Sequence, residues 1–202
     1  MKKYIFIFIL LIPIQGYCQN ISDQVINAFS TSYASESVKD YDKAIKDIKQ
    51  VYSDKSYEIN LRLGWLYYED KNYDQSILYY KQAIKLKPSS VEAMLGYAYP
   101  ASAIQKWDEL FAMYQKALTI DPNNATVNYR LALMFYYKKE FGNAEKQLAR
   151  NLEHFPFDYD NTLLMAQVKL AMGKISDSKH YYQKALLYNP SNDEIKKVLS
   201  KL

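Results

Sequence analysis

From Tyr57 to Asn192 the apolar positions recur at helical spacing in blocks that repeat every 34 residues, and no stretch carries the alternating pattern of a strand. Each block predicts two helices. Gly64, Ala98, Ala132 and Ala166 fall in the middle of the first. Tyr73, Trp107, Phe141 and Ile175 open the second, followed by Tyr80, Tyr114, Leu148 and Tyr182 and then by Ala83, Ala117 and Ala185, with Asn151 as the exception. Small residues on one helix let its partner approach closely, and large ones opposite fill the remaining space. Pro88, Pro122, Pro156 and Pro190 close the blocks, each placed just before a helix start, where a missing N–H is harmless.

The spacing of Ser89 to Glu92 and of Ser191 to Glu194 predicts capping boxes, with Asn124 and Asp158 as caps between them. Upstream, residues 21–56 predict a degenerate hairpin. Ile21, Val25, Ile26, Phe29 and Tyr33 supply a stripe for its first helix, and Tyr41, Ala44, Ile48 and Val51 belong to its second. Residues 193–202 predict a capping helix, with Ile195, Val198, Leu199 and Leu202 on one face and lysines on another.

This 34-residue period and small/large alternation resemble the tetratricopeptide repeat over Tyr57 to Asn192, departing only where Asn60, Met94, Asn128 and Thr162 replace an expected aromatic residue. The resemblance implies an all-α, right-handed superhelical solenoid of helix-turn-helix repeats at about 57–90, 91–124, 125–158 and 159–192, with a C-terminal capping helix.

Residues 1–18 read differently. Lys2 and Lys3 precede an apolar run from Tyr4 to Ile14 and then a polar exit, the pattern of a secretory signal peptide cleaved after Cys18. The alternative makes Cys18 a lipidated N-terminus, against which Tyr17 stands where a small residue is preferred. Cleavage leaves residues 19–202 as a single array without cysteine, which removes disulfides, thiol nucleophiles and cysteine-based metal sites. It also reduces the formal net charge from +4 to +2, too little and too interspersed for nucleic acid.

Nothing in the chain suggests catalysis or a cofactor. His154 and His180 have no second ligand at metal spacing, and five glycines form no phosphate loop.

In arrays of the family that the chain resembles, first helices line a concave groove. That placement brings Leu61, Arg62, Trp65, Tyr68 and Glu69 to the surface in the first full repeat, then Leu95, Tyr99 and Ala103. The third contributes Tyr129, Arg130, Leu133, Tyr136 and Tyr137, and the fourth Leu163, Gln167 and Leu170. Such an aromatic channel with two arginines suits a helix or extended peptide of another envelope protein in the periplasm. A glycan-binding module and a self-associating structural protein are the alternatives. The lysine, asparagine and arginine clamp that captures chaperone C-terminal carboxylates is not expected, because Leu61, Trp65 and Gly96 stand where it needs polar groups. Pro100, inside a first helix, predicts a kink that widens the groove beside Tyr99, with Gly96 at the carbonyl the ring presses on.

Overall fold

The computed structural model describes residues 21–202, so the leader expected over residues 1–18 lies outside it. Among the described residues eleven helices follow one another and there is no strand. The first hairpin is α1 (Asp23–Ser37) and α2 (Tyr41–Lys49). Next come α3 (Tyr57–Glu69) with α4 (Tyr73–Leu86), and α5 (Val91–Ala103) with α6 (Trp107–Ile120). Then α7 (Ala125–Tyr137) pairs with α8 (Phe141–His154), α9 (Tyr159–Ala171) pairs with α10 (Ile175–Tyr188), and α11 (Asp193–Leu199) ends the chain.

The turn inside each hairpin is built alike. Lys39, Lys71, Gln105, Lys139 and Gly173 all adopt positive φ, between 59° and 73°. The amide that follows each bonds five residues back, as from Asn72 to the Tyr67 carbonyl and from Lys174 to that of Lys169. This is a Schellman end, which satisfies carbonyls left over by the first helix. Only one of the five positions is glycine, so the turn leaves little trace in composition. The turns stand 34 residues apart except for the first interval, Lys39 to Lys71, which is 32. The degenerate hairpin is therefore two residues out of register with the rest.

Helix starts correct the capping expectation. Ser90 and Asn192, not Ser89 and Ser191, accept from the amides of Ala93 and Ile195. Asn124 and Asp158 cap α7 and α9. The cap is thus always the second residue after the proline. Glu92, freed from a capping box, accepts a hydrogen bond from the Tyr57 hydroxyl at 2.8 Å.

Second helices insert large side chains between successive first helices. Tyr80, Tyr114, Leu148 and Tyr182 are all buried, as are Ala98, Ala132 and Ala166 against which the hairpins close. Ser76 and Ser178 tie the first and last full hairpins, donating to the carbonyls of Gly64 at 2.6 Å and Ala166 at 2.9 Å. Where the resemblance leads one to expect an aromatic, Asn60 and Asn128 are fully buried and fasten the preceding loop. Asn60 donates to the carbonyls of Ser53 and Ser56, and Asn128 to that of Pro122. Asn151, the exception among the alanines, bonds the Ala125 carbonyl and Asn161 across a repeat boundary.

The odd-numbered helices α3 and α5, and α7 and α9, approach each other more closely than any two even-numbered helices, which bends the stack with its first helices inside. α11 covers the last repeat with buried Ile195, against which Val198, Leu199 and Leu202 pack.

The stripe expected for α1 is only partly realised. Val25 and Phe29 are half-buried, but Ile26 and Tyr33 are more than half exposed and Ile21 precedes the helix. α1 docks instead through the small buried residues Ser32 and Ser35, which permit close approach. Pro100 is buried inside α5, whose helix runs unbroken from Val91 to Ala103.

Candidate functional site

The inner face begins with an aromatic group shared by two repeats. Trp65 and Tyr68 project from adjacent turns of α3 with ring centroids 5.7 Å apart, and Tyr99 of α5 lies 5.4 Å from Tyr68 and 6.3 Å from Trp65. Tyr99 remains 49% exposed, so this group both packs and faces outward. Leu61, Leu95, Leu133 and Tyr129 are half-buried, with their inner sides against the main core. Further along, Tyr136 packs on Phe141 and Tyr137, while Tyr137 itself is 78% exposed. Leu163 and Leu170 pack into the C-terminal core and leave little free surface there.

Arg62 departs from its expected role. It is 6% exposed, and its guanidinium pairs with Glu36, donates to the Ser32 hydroxyl at 3.0 Å and lies 3.9 Å from the Tyr33 ring centroid. Glu36 also accepts from the Trp65 indole. Glu36 of α1 faces Arg62 at the place that Ser102 of α5 has toward Arg130, so an acid meets the arginine only in the first pair of hairpins. This arginine is a structural tie between α1 and α3, and the groove has one free arginine rather than two.

That one is Arg130, exposed on α7, with no hydrogen bond or ion pair among the described residues. It lines two cavities. One of about 240 Å³ lies toward Tyr68, Leu95 and Tyr99. The other, about 510 Å³, is walled by Trp107, Leu110 and Tyr114 of α6 and by Leu133, Met134 and Tyr137 of α7, with Lys138 at its edge. No carboxylate lines either cavity. Burial pushes the Tyr114 hydroxyl up despite nearby Arg130, so it stays a protonated donor at neutral pH.

Trp107 and Tyr114 are not among the groove residues expected from sequence, because they lie on a second helix, and Lys138 is not because it stands just past the end of α7. The signal was available in Leu110, whose bulk stands where the other hairpins have Ala44, Ser76, Ala144 and Ser178. A third cavity, about 480 Å³, lies between α1 and α3 beside Tyr33, Tyr57 and Trp65. Its carboxylates already have partners: Glu36 has Arg62, Glu58 has Lys87 and Glu92 has Tyr57.

Among the described residues, no group of three or more His, Cys, Asp or Glu is gathered that could hold a metal ion. None of the described helices is long and apolar enough to cross a membrane.

Comparison with known proteins agrees with this geometry. The tetratricopeptide-repeat family model matches residues 57–90, and a second model of the same repeat matches residues 163–192. No curated protein matches the sequence. Among solved structures, a crystal structure of MamA protein superposes with a TM-score of 0.73 at 18% identity, over 86% of this chain and 96% of that one. MamA from residue 41 to its end, from Desulfovibrio magneticus RS-1, gives 0.73 at 12% identity, over 85% of this chain and 98% of that one. A tetratricopeptide repeat protein from Parabacteroides merdae ATCC 43184 gives 0.78 at 14% identity, over 89% of this chain and 72% of that one. At these identities the likeness is one of fold. Two units matched by the family's own models, and two between them with the same turn, small residue and cap, show that the chain carries tetratricopeptide repeats.

Proposed function

We propose that the chain is a non-catalytic docking scaffold of the bacterial cell envelope, whose inner face holds a helical or extended segment of another protein. One observation carries this reading. Tyr99, Trp107 and Tyr137, all more than 45% exposed, border cavities that share the unpaired Arg130. Aromatic and arginine side chains gathered around concave apolar space are what protein interfaces concentrate. Glu109 and Glu145 are each held below the usual carboxylate range, first by a lysine that donates to them, so neither is poised as a general acid near neutral pH. Envelope placement rests on the leader pattern of residues 1–18.

Crosslinking followed by affinity capture from the producing cells tests the reading, with wild type compared against a folded Tyr99→Ala/Tyr137→Ala variant. A partner captured by wild type and lost from the variant supports groove docking. Equal capture by both moves the interface elsewhere on the array.

A further inference from the structure

The second full hairpin is built differently from the other four. Ala44, Ser76, Ala144 and Ser178 hold the close-approach position of their second helices, each fully buried, whereas Leu110 holds it in α6. The serines of α4 and α10 donate to carbonyls of their partner helices, a bond leucine cannot make. α5 and α6 are accordingly the most sparsely packed hairpin, and α6 with α7 the most sparsely packed junction between repeats. The cavity of about 510 Å³ opens at this place. Its size falls within the roughly 300–1,000 Å³ of sites that enclose small ligands. That is room for a branched or aromatic side chain with part of its backbone.

The charge at its edge is of one sign. Arg130 and Lys138 both line the cavity, and no carboxylate does. Lys138 holds its ammonium 4.6 Å from the Phe111 ring centroid, and Arg130 has no partner among the described residues. A guanidinium against apolar walls is suited to a carboxylate held by two parallel hydrogen bonds. Arg130 also lines the smaller cavity toward Tyr99, so a bound segment has room to continue past it on both sides. A segment that carries its acid in mid-chain can therefore lie across Arg130.

We infer that the α6–α7 cavity receives a bulky apolar side chain of a partner protein, with a neighbouring Asp or Glu side chain of that partner paired to Arg130. This rests on the groove reading and adds to it the chemistry of the bound segment.

The test is selection of random 12-residue peptides, displayed with their C-termini fused so that no free terminal carboxylate is present, on the immobilised full chain. Enriched sequences are then made as amidated peptides and titrated by fluorescence anisotropy. The expected motif places Phe, Trp, Leu or Met within three residues of Asp or Glu. Loss of a charged hydrogen bond in Arg130→Gln, checked for folding by circular dichroism, weakens binding about tenfold or more. Enriched peptides that need no acid, bind Arg130→Gln as well as wild type and are lost with Tyr99→Ala overturn the inference and leave the groove reading standing. Binding that survives both Arg130→Gln and Tyr99→Ala, or no enrichment at all, overturns both.

Discussion

The ring of Tyr80 occupies the place where a side chain on Gly96 would begin. A Cβ there would overlap the ring, and one on Gly64 would meet the same ring at 2.9 Å from the other side. Tyr80 of α4 thus lies between glycines of α3 and α5 and sets how closely two repeats stack. Gly96, expected to relieve Pro100, is under a tighter constraint from this ring. Gly96→Ala destabilises the fold, because overpacking of about 1–3 kcal/mol outweighs the roughly 1 kcal/mol that alanine gains over glycine in helix propensity. Urea unfolding reads it, and the loss shrinks in a Tyr80→Leu background, as expected for two residues in contact. An equal loss in both backgrounds contradicts the mechanism.

Arg62→Met separates a tie from a binding residue. Removing one partner of a buried ion pair costs about 3–5 kcal/mol. Glu36 keeps the Trp65 indole and some water, which places the loss at the lower end. Hydrogen exchange rises first in α1, while peptide binding that depends on Arg130 is unchanged. Exchange confined to α3 would show that Arg62 does not hold α1.

Gly173→Ala tests the hairpin turn without touching packing. Nothing lies within 4 Å of where its Cβ would stand, and its φ is +73°. The cost is then conformational, about 1–2 kcal/mol. Lys139→Gly acts in the opposite direction, with a smaller gain because glycine also has more freedom to lose on folding. Equal and opposite shifts are not expected, but a stabilised Gly173→Ala contradicts the assignment.

The spacing of Pro88, Pro122, Pro156 and Pro190 made the repeat legible, because proline marks a fixed place in each inter-repeat loop. The same spacing could have fixed the caps, since Ser90, Asn124, Asp158 and Asn192 all stand two residues after a proline. In Pro88-Ser89-Ser90 and Pro190-Ser191-Asn192 two polar candidates adjoin, and local pattern favours the wrong one. The first hairpin has no proline to fix its register, so the placing of Glu36 and Ser32 against Arg62, and with it the burial of that arginine, was hidden. The aromatic groove was legible from α3, α5 and α7. The cavity between α6 and α7 was not, because Leu110 reads as ordinary core until it is compared with Ser76 and Ser178 at the same position.

Acid weakens the array through carboxylates that bind lysine. Donation from Lys81, with help from the Tyr97 hydroxyl, holds the Glu109 carboxyl down at about 2, and donation from Lys169 holds Glu145 below the usual 4.5. A carboxyl that is more acidic in the folded state contributes its stability in full above about pH 4.5, and loses it as pH falls through the folded value. Glu109 is nearly half exposed, so screening by water keeps its share small. The urea midpoint is therefore lower at pH 3 than at pH 7, and the difference shrinks in salt of about 0.5 M. A midpoint unchanged at pH 3 contradicts a stabilising role for these pairs.

Docking in the groove is tested most directly by a photo-crosslinking amino acid placed in the full-length chain in the cells that make it. One variant carries it at Tyr99 on the inner face, and the other at Leu78, a 59% exposed position on α4. A discrete adduct from position 99 that is absent from position 78, and is lost when Arg130→Gln is added, is the predicted result. Adducts from position 78 with none from position 99 would place the partner on the outer face and contradict the groove as the docking site.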